Sequence, residues 1–297
     1  MVEISGLGNL SRKLSSANLN SNQISPVILG PAHQSQKDRP FPQFSNVTIQ
    51  SPTLGDSNYY AGMVRVEKRF SRGLNLVSTY TYSKFLENAN DIGTTAGQDG
   101  GAYSNYYNRR ADYGPSANDI RGRFTFSSVY ELPFGKGKHW MIKGIGSRLF
   151  GGWGIGNVTV VQSAPPFTVV TQTNTTNAFS AGAQRPIVLR DPSLDAAQRS
   201  VARWFDTTAF LQPPLFQFGN EGRNTLRASG LTNLDFSLLR NFSITERVRV
   251  QFRGEFFNAL NHTNLAVPGR TFGSPDFGIV SSAGPARQIQ AGIRLSF

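Results

Sequence analysis

The chain has 297 residues and a formal net charge of +12, from 30 Lys plus Arg against 18 Asp plus Glu. It contains no cysteine, and its three histidines (His33, His139 and His262) lie far apart, which excludes a disulfide framework, a thiolate metal site, a cysteine nucleophile and any H-x-x-x-H pair. No apolar run is long enough to cross a membrane as a helix, and 30 Gly with 22 Phe favour strands and turns.

In chain order, Val2-Glu3-Ile4-Ser5-Gly6-Leu7 reads as the outward end of a truncated strand. No basic start leads into an apolar stretch, so no signal peptide is expected here. A long polar stretch follows over 9–56, with the Pro-rich Arg39-Pro40-Phe41-Pro42. Period-two alternation then begins. Val64, Val66 and Phe70 alternate with Arg65, Glu67 and Arg69, predicting a strand over 57–70. Leu74, Leu76, Tyr80 and Tyr82 alternate with Asn75, Thr79, Thr81 and Ser83, predicting one over 73–87. Ile120, Phe124, Phe126, Tyr130 and Leu132 against Arg121, Arg123, Thr125, Ser127 and Glu131 predict a strand over 119–132.

The Gly-rich stretch 151–163 predicts a strand of ambiguous parity. Strands over 232–243, 246–260 and 286–297 follow. In the last two, Val248, Val250, Phe252 and Phe256 oppose Arg247, Arg249, Arg253 and Glu255, and Ile289, Ala291, Ile293, Leu295 and Phe297 oppose Gln288, Gln290, Arg294 and Ser296. The one helical candidate is Asp191 to Phe205, inside the longest connection.

Connections are lopsided. Phe70-Ser71-Arg72-Gly73 and Ser243-Ile244-Thr245-Glu246 are short, whereas 88–118, 164–231 and 261–285 are long and polar. A soluble domain rarely holds such loops; an outer-membrane barrel has short periplasmic turns and long external loops. Runs of roughly 10–14 residues exceed the soluble mean of about 5–6 and cover the roughly 9–11 needed to cross tilted. Tyr59, Tyr60, Tyr80, Tyr82, Phe85, Tyr130, Trp153, Phe256 and Phe257 sit near strand ends, where an interfacial girdle would stand. The fold class expected is all-β: an antiparallel transmembrane outer-membrane β-barrel, partial, in the bacterial outer membrane. One partial barrel domain is expected over 1–297, with 1–56 a truncated strand plus loop and 57–297 seven transmembrane strands.

Specific strings carry a resemblance. Val66-Glu67-Lys68-Arg69-Phe70-Ser71-Arg72-Gly73-Leu74 is followed by Ser78-Thr79-Tyr80-Thr81-Tyr82-Ser83-Lys84, then by Asn118-Asp119-Ile120-Arg121-Gly122-Arg123-Phe124. Gly151-Gly152-Trp153, Pro165-Pro166-Phe167-Thr168 and Gly222-Arg223-Asn224 come next. Phe256-Phe257-Asn258-Ala259-Leu260-Asn261-His262 and the terminal Gly292-Ile293-Arg294-Leu295-Ser296-Phe297 complete the set. The chain resembles the C-terminal part of a TonB-dependent receptor, in the Oar-like branch that carries a carboxypeptidase-regulatory-like N-terminal domain. The resemblance implies a barrel of about 22 strands with an N-terminal plug and import driven by the TonB complex. This chain would supply about eight of those strands, and it lacks the plug and the TonB box.

On that basis the alternating charges Arg65, Glu67, Arg69, Arg121, Arg123, Arg247, Arg249, Arg253 and Glu255 are candidate lumen-facing residues. Tyr103, Tyr106, Tyr107, Arg109, Arg110, Trp204 and Phe205 are candidate extracellular-loop contacts. Ile293, Leu295 and Phe297 resemble the barrel-assembly signal. Expected partners are outer-membrane lipid, the missing plug and N-terminal strands, the TonB complex and the barrel-assembly machinery. Nucleic acid is not expected, because the arginines alternate with apolar residues rather than forming an accessible basic face. No cofactor or metal is expected: Asp191, Asp195 and Asp206 have no helpful histidine, and no nucleophile elbow or P-loop is present. The chain is therefore read as no enzyme. The competing reading is a structural or adhesive surface β-protein without transport.

Overall fold

The computed structural model describes residues 1–16, 18–89, 103–135, 138–140, 143–243 and 248–297. Among them, eight long strands form one continuous sheet: β1 (Val2–Leu14), β2 (Gly55–Ser71), β3 (Leu74–Glu87), β4 (Gly122–Glu131), β5 (Trp153–Gln162), β6 (Leu231–Ser243), β7 (Arg249–Phe257) and β8 (Gln288–Ser296). Their order in the sheet is their order in the chain, and every neighbouring pair is antiparallel. A two-residue strand, Gly114–Pro115, adds beside the end of β3. Among the described residues the sheet does not close: β1 pairs only with β2, and β8 only with β7.

β1 is longer than its sequence suggests. It runs for 13 residues and pairs with β2 from Val2 opposite Val66 to Leu14 opposite Gly55. The truncated strand ending near Leu7 is thus a full one. Gly6, Gly8, Asn9 and Ser11 obscure the pattern, yet backbone pairing needs no side chain, and Gly6 lies opposite Gly62.

The pairing register assigns faces. Directly opposed residues point to the same side of a sheet. Val64, Tyr80, Phe124, Val161 and Thr232 therefore share one face, continued by Leu234, Phe236 and Leu238 of β6, then Val250, Phe252, Ile293 and Leu295. That face is apolar. The other face carries Arg65, Thr79, Thr125, Asn233, Gln251 and Arg294. The ambiguity in β5 is thereby settled: Trp153, Ile155 and Val161 are on the apolar face, Val158 and Val160 on the polar one.

The same parity divides the expected girdle. Tyr60, Tyr80, Tyr82, Tyr130, Trp153 and Phe256 stand on the apolar face. Tyr59, Phe85 and Phe257 stand on the other, where Tyr59 and Phe85 meet edge to face at 5.7 Å. Arg240 also falls on the apolar face, near its short-turn end. Its guanidinium lies 5.2 Å from the Trp153 ring, an arrangement that lets the long stem lie along apolar surface.

One end of the sheet holds the short links. Arg72 (φ 51°) and Gly73 (φ 81°) form the two-residue turn between β2 and β3. Positive φ at both central positions is the turn whose twist matches the strands. A Cβ on Gly73 would also meet the Glu131 carbonyl oxygen at 2.9 Å. The β4–β5 link carries a short helix, α1 (Gly144–Phe150). No α-helix forms over 191–205. The Asp191 carboxylate instead accepts from the Ser193 backbone at 2.8 Å, and a single turn follows in which the Asp195 carbonyl accepts from Gln198 and Arg199. Asp at a turn start competes with helical hydrogen bonding.

Candidate functional site

The long connections gather at the opposite end of the sheet, and there the protein is most deeply buried. Phe167, Val169, Phe205, Ala209, Phe210, Leu226 and Ala228 form an apolar core, with Trp204, Phe272 and Phe277 packed against it. Phe205 sits at its centre, 5.1 Å from Phe277 and 5.9 Å from both Phe167 and Phe210. The core joins two connections, because Phe277 belongs to the loop before β8. Backbone bonds from Trp204 to Gly278 and from Val280 to Val201 tie the same two together. The connection after β1 joins as well: Gln23 donates to Asn105 at 2.8 Å, and buried Arg39 stacks 4.5 Å over Phe179.

Buried charges fix this assembly to the strand ends. Arg185 and Asp112, both about as buried as the core, contact at 2.8 Å. Arg185 also donates to Ser104 Oγ at 2.8 Å and to the Ala111 carbonyl at 3.1 Å. Burial pushes the Asp112 carboxyl up and the Arg185 guanidinium down, and each partner opposes the other's shift. Arg223 reaches Glu87 at the end of β3, 3.5 Å away, and donates to the Glu87 carbonyl at 3.2 Å. Arg227 contacts the fully buried Asp119, which also holds Arg121 at 2.8 Å. Breaking one half of such a buried pair is costly because it strands the other charge. Burial likewise raises Glu221, opposed by its bond from the Thr225 hydroxyl.

The candidate lumen residues divide as follows. The register puts Arg65 and Glu67 of β2, Arg123 of β4, and Arg249, Arg253 and Glu255 of β7 on the polar face, while Arg69 lies in the irregular stretch after Lys68 and turns to Glu67. Glu67 bridges Arg65 at 2.9 Å and Arg69 at 3.3 Å, and Arg253 meets Glu255 at 3.5 Å. These pairs are partly exposed, worth about 0–1 kcal/mol each. Among the described residues Arg123, Arg249 and Arg294 join no ion pair, leaving the face positive. Arg121 lies just ahead of β4 and serves the Asp119 cluster at the loop base. Arg247 lies outside the described residues.

The candidate loop contacts also divide. Tyr103 and Phe205, only 2% and 1% exposed, are inside the loop assembly and present no surface to a ligand. This corrects their reading as contact residues: large aromatic rings in these connections serve packing first. Trp204 is partly covered, its indole N–H donating to the Arg227 carbonyl at 2.9 Å. Tyr106 and Tyr107 stack edge to face at 5.1 Å. Tyr107, Arg109 and Arg110 do converge, with Asp56, Asn108 and Tyr113, around an open cleft of about 540 Å³. Ile293 and Leu295 stand exposed on the apolar face of edge strand β8, and Phe297 follows at the same parity. The buried Arg185 and Arg223 and the half-buried Arg227 are not among the site residues expected from sequence, since their partners are distant in the chain.

Among curated proteins nothing matches the chain. The crystal structure of the outer membrane transporter YddB from Escherichia coli is similar over 99% of this chain and 30% of that one, at 10% identity and a TM-score of 0.44. The chain thus spans about 30% of that structure's length, and the likeness is too distant to bear on function. Residues 1–290 match the family described as the outer membrane beta barrel domain. With its meander of antiparallel strands, one apolar face and loops massed at one end, the chain belongs to that family, a β-barrel of the bacterial outer membrane.

Proposed function

We propose that this chain is the C-terminal barrel segment of a TonB-dependent outer-membrane transporter of the Oar-like branch. The polar face lines the transport path, and the packed connections form the external mouth. The observation that carries the reading is the open sheet. β1 and β8 each keep one unpaired edge, and lipid does not tolerate unpaired backbone groups, each costing several kcal/mol. Eight strands that do not close therefore need further strands to complete a wall. An incomplete wall of long strands with a charged inner face fits a large, plugged barrel better than a small filled one.

In this reading the plug and the TonB-contacting segment lie outside these residues. The positive face meets the plug and passing cargo. The exposed Ile293, Leu295 and Phe297 engage the assembly machinery, and no chemical step is catalysed. The test is recruitment: the protein containing these residues, extracted from outer membranes in detergent, should bind the periplasmic domain of TonB. It should lose that binding when its N-terminal region is removed. A protein that inserts normally yet fails to bind TonB would overturn the TonB dependence.

A further inference from the structure

We propose that the polar face carries a binding site for a small organic anion with an apolar body, centred on Arg123 just beneath the loop assembly. It rests on the transport reading in naming the cargo class of the same interior, but ligand binding there does not require TonB.

A cavity of about 440 Å³ opens on this face, in the range of about 300–1,000 Å³ typical of small-molecule sites. Its floor is set by register: Arg123 of β4 lies opposite Gln162 of β5, which lies opposite Leu231 of β6. Its roof is the connection before β8, through Asn264 and Pro285.

Most of the polar lining is already engaged. Asp235 accepts from Asn233 Nδ2 and from the Asn258 backbone, both at 2.9 Å. Asn264 is paired at both ends of its amide with the Thr232 backbone. Among the described residues, three polar lining side chains make no hydrogen bond or ion pair: Arg123, Gln162 and Gln288. Beside them stand Val160, Leu231 and Phe257.

These groups define the ligand. A guanidinium stays charged at any ordinary pH and offers a planar fork that fits a carboxylate or sulfate. The one lining carboxylate, Asp235, takes its two bonds on a single oxygen and forms no ion pair with Arg123, so the fork stays open to a ligand. The two free amides can take further polar atoms, and the aliphatic and aromatic wall favours an apolar body over a fully hydroxylated one.

The experiment uses the protein in outer-membrane vesicles, with vesicles lacking it as background. Equilibrium dialysis compares 2-naphthoate with its neutral isostere 2-naphthamide. The naphthoate should bind saturably, and the amide about tenfold more weakly or worse. Arg123→Gln should bring the acid down to the level of the amide, whereas Phe257→Ala should weaken both alike. Absence of saturable naphthoate binding, equal binding of acid and amide, or discrimination that survives in Arg123→Gln would each overturn the proposal. Heat-modifiable migration reports whether the variant inserts; if it does not, the acid-against-amide comparison on the unaltered protein decides. Naphthoate binding without TonB recruitment would leave this site standing and remove the TonB reading, and the reverse would remove the site alone.

Discussion

Truncating Phe205 tests whether the external connections form a folded unit of their own. Its ring is 1% exposed and packs against Phe167, Phe210 and Phe277. Phe205→Ala removes a buried ring from the centre of that cluster, a loss of about 3–5 kcal/mol. At about 1.4 kcal/mol per decade, opening of the cluster becomes roughly two to three and a half orders of magnitude more frequent. Hydrogen exchange by mass spectrometry, on protein in outer-membrane vesicles, reads this directly. Peptides covering 165–172, 203–212 and 226–229 should lose protection by that factor, while 232–240 and 250–256 in the strands keep theirs. Unchanged loop protection would refute the claim of a shared core. Equal loss in the strands would refute its independence from the wall.

Three further outcomes follow from the same geometry. Arg185→Met leaves the buried Asp112 without its ion-pair partner, so the loop assembly should lose about 3–5 kcal/mol. The double variant Arg185→Met with Asp112→Leu should recover most of it, as measured by protease resistance of the external loops. Asp206 is held at about 2, first by the Thr208 hydroxyl and also by Arg190 at 2.8 Å. A carboxylate with a depressed folded value contributes stability above its ordinary 3.8 and loses it as pH falls through about 2. Exchange around 203–209 should therefore accelerate between pH 4 and 2, and Asp206→Asn should flatten that dependence. Gly73→Val forces a branched side chain to positive φ and against the Glu131 carbonyl. The barrel should assemble more slowly in pulse-chase heat-modifiability assays; unchanged assembly would argue against this turn geometry.

The wall was legible in the sequence because alternation is a local signal. Arg65, Glu67 and Arg69 against Val64, Val66 and Phe70 fix parity without knowledge of any partner strand. Register then carried that parity across the sheet, and Arg123, Arg253 and Glu255 arrived on the same face. Where glycine and small polar residues dilute the signal, it failed: β1 read as ending near Leu7, and β5 had no clear parity. Aromatic type alone misplaced Tyr59, Phe85 and Phe257, because a ring near a strand end satisfies the girdle pattern whichever side it faces.

The loop assembly was opaque for a different reason. Phe167, Phe205, Phe210 and Phe277 are scattered with no period, so nothing local marks them as one core. Arg185, Arg223 and Arg227 read as ordinary loop charges until Asp112, Glu87 and Asp119 are brought beside them from distant parts of the chain. Tyr103 illustrates the cost of judging loop aromatics by position: its burial removes it from any surface. Arg109 and Arg110, by contrast, do stand at an open cleft, together with Tyr107.

Spin labels placed one at a time at positions 289 to 295 of β8, in outer-membrane vesicles, test whether one face of this sheet meets lipid and the other the barrel interior. Labels at 289, 291, 293 and 295 should be accessible to oxygen dissolved in lipid and shielded from a water-soluble nickel chelate. Labels at 290, 292 and 294 should show lower oxygen accessibility and relatively greater access to the chelate. A flat profile along the strand, or the opposite phase, would contradict this assignment of faces.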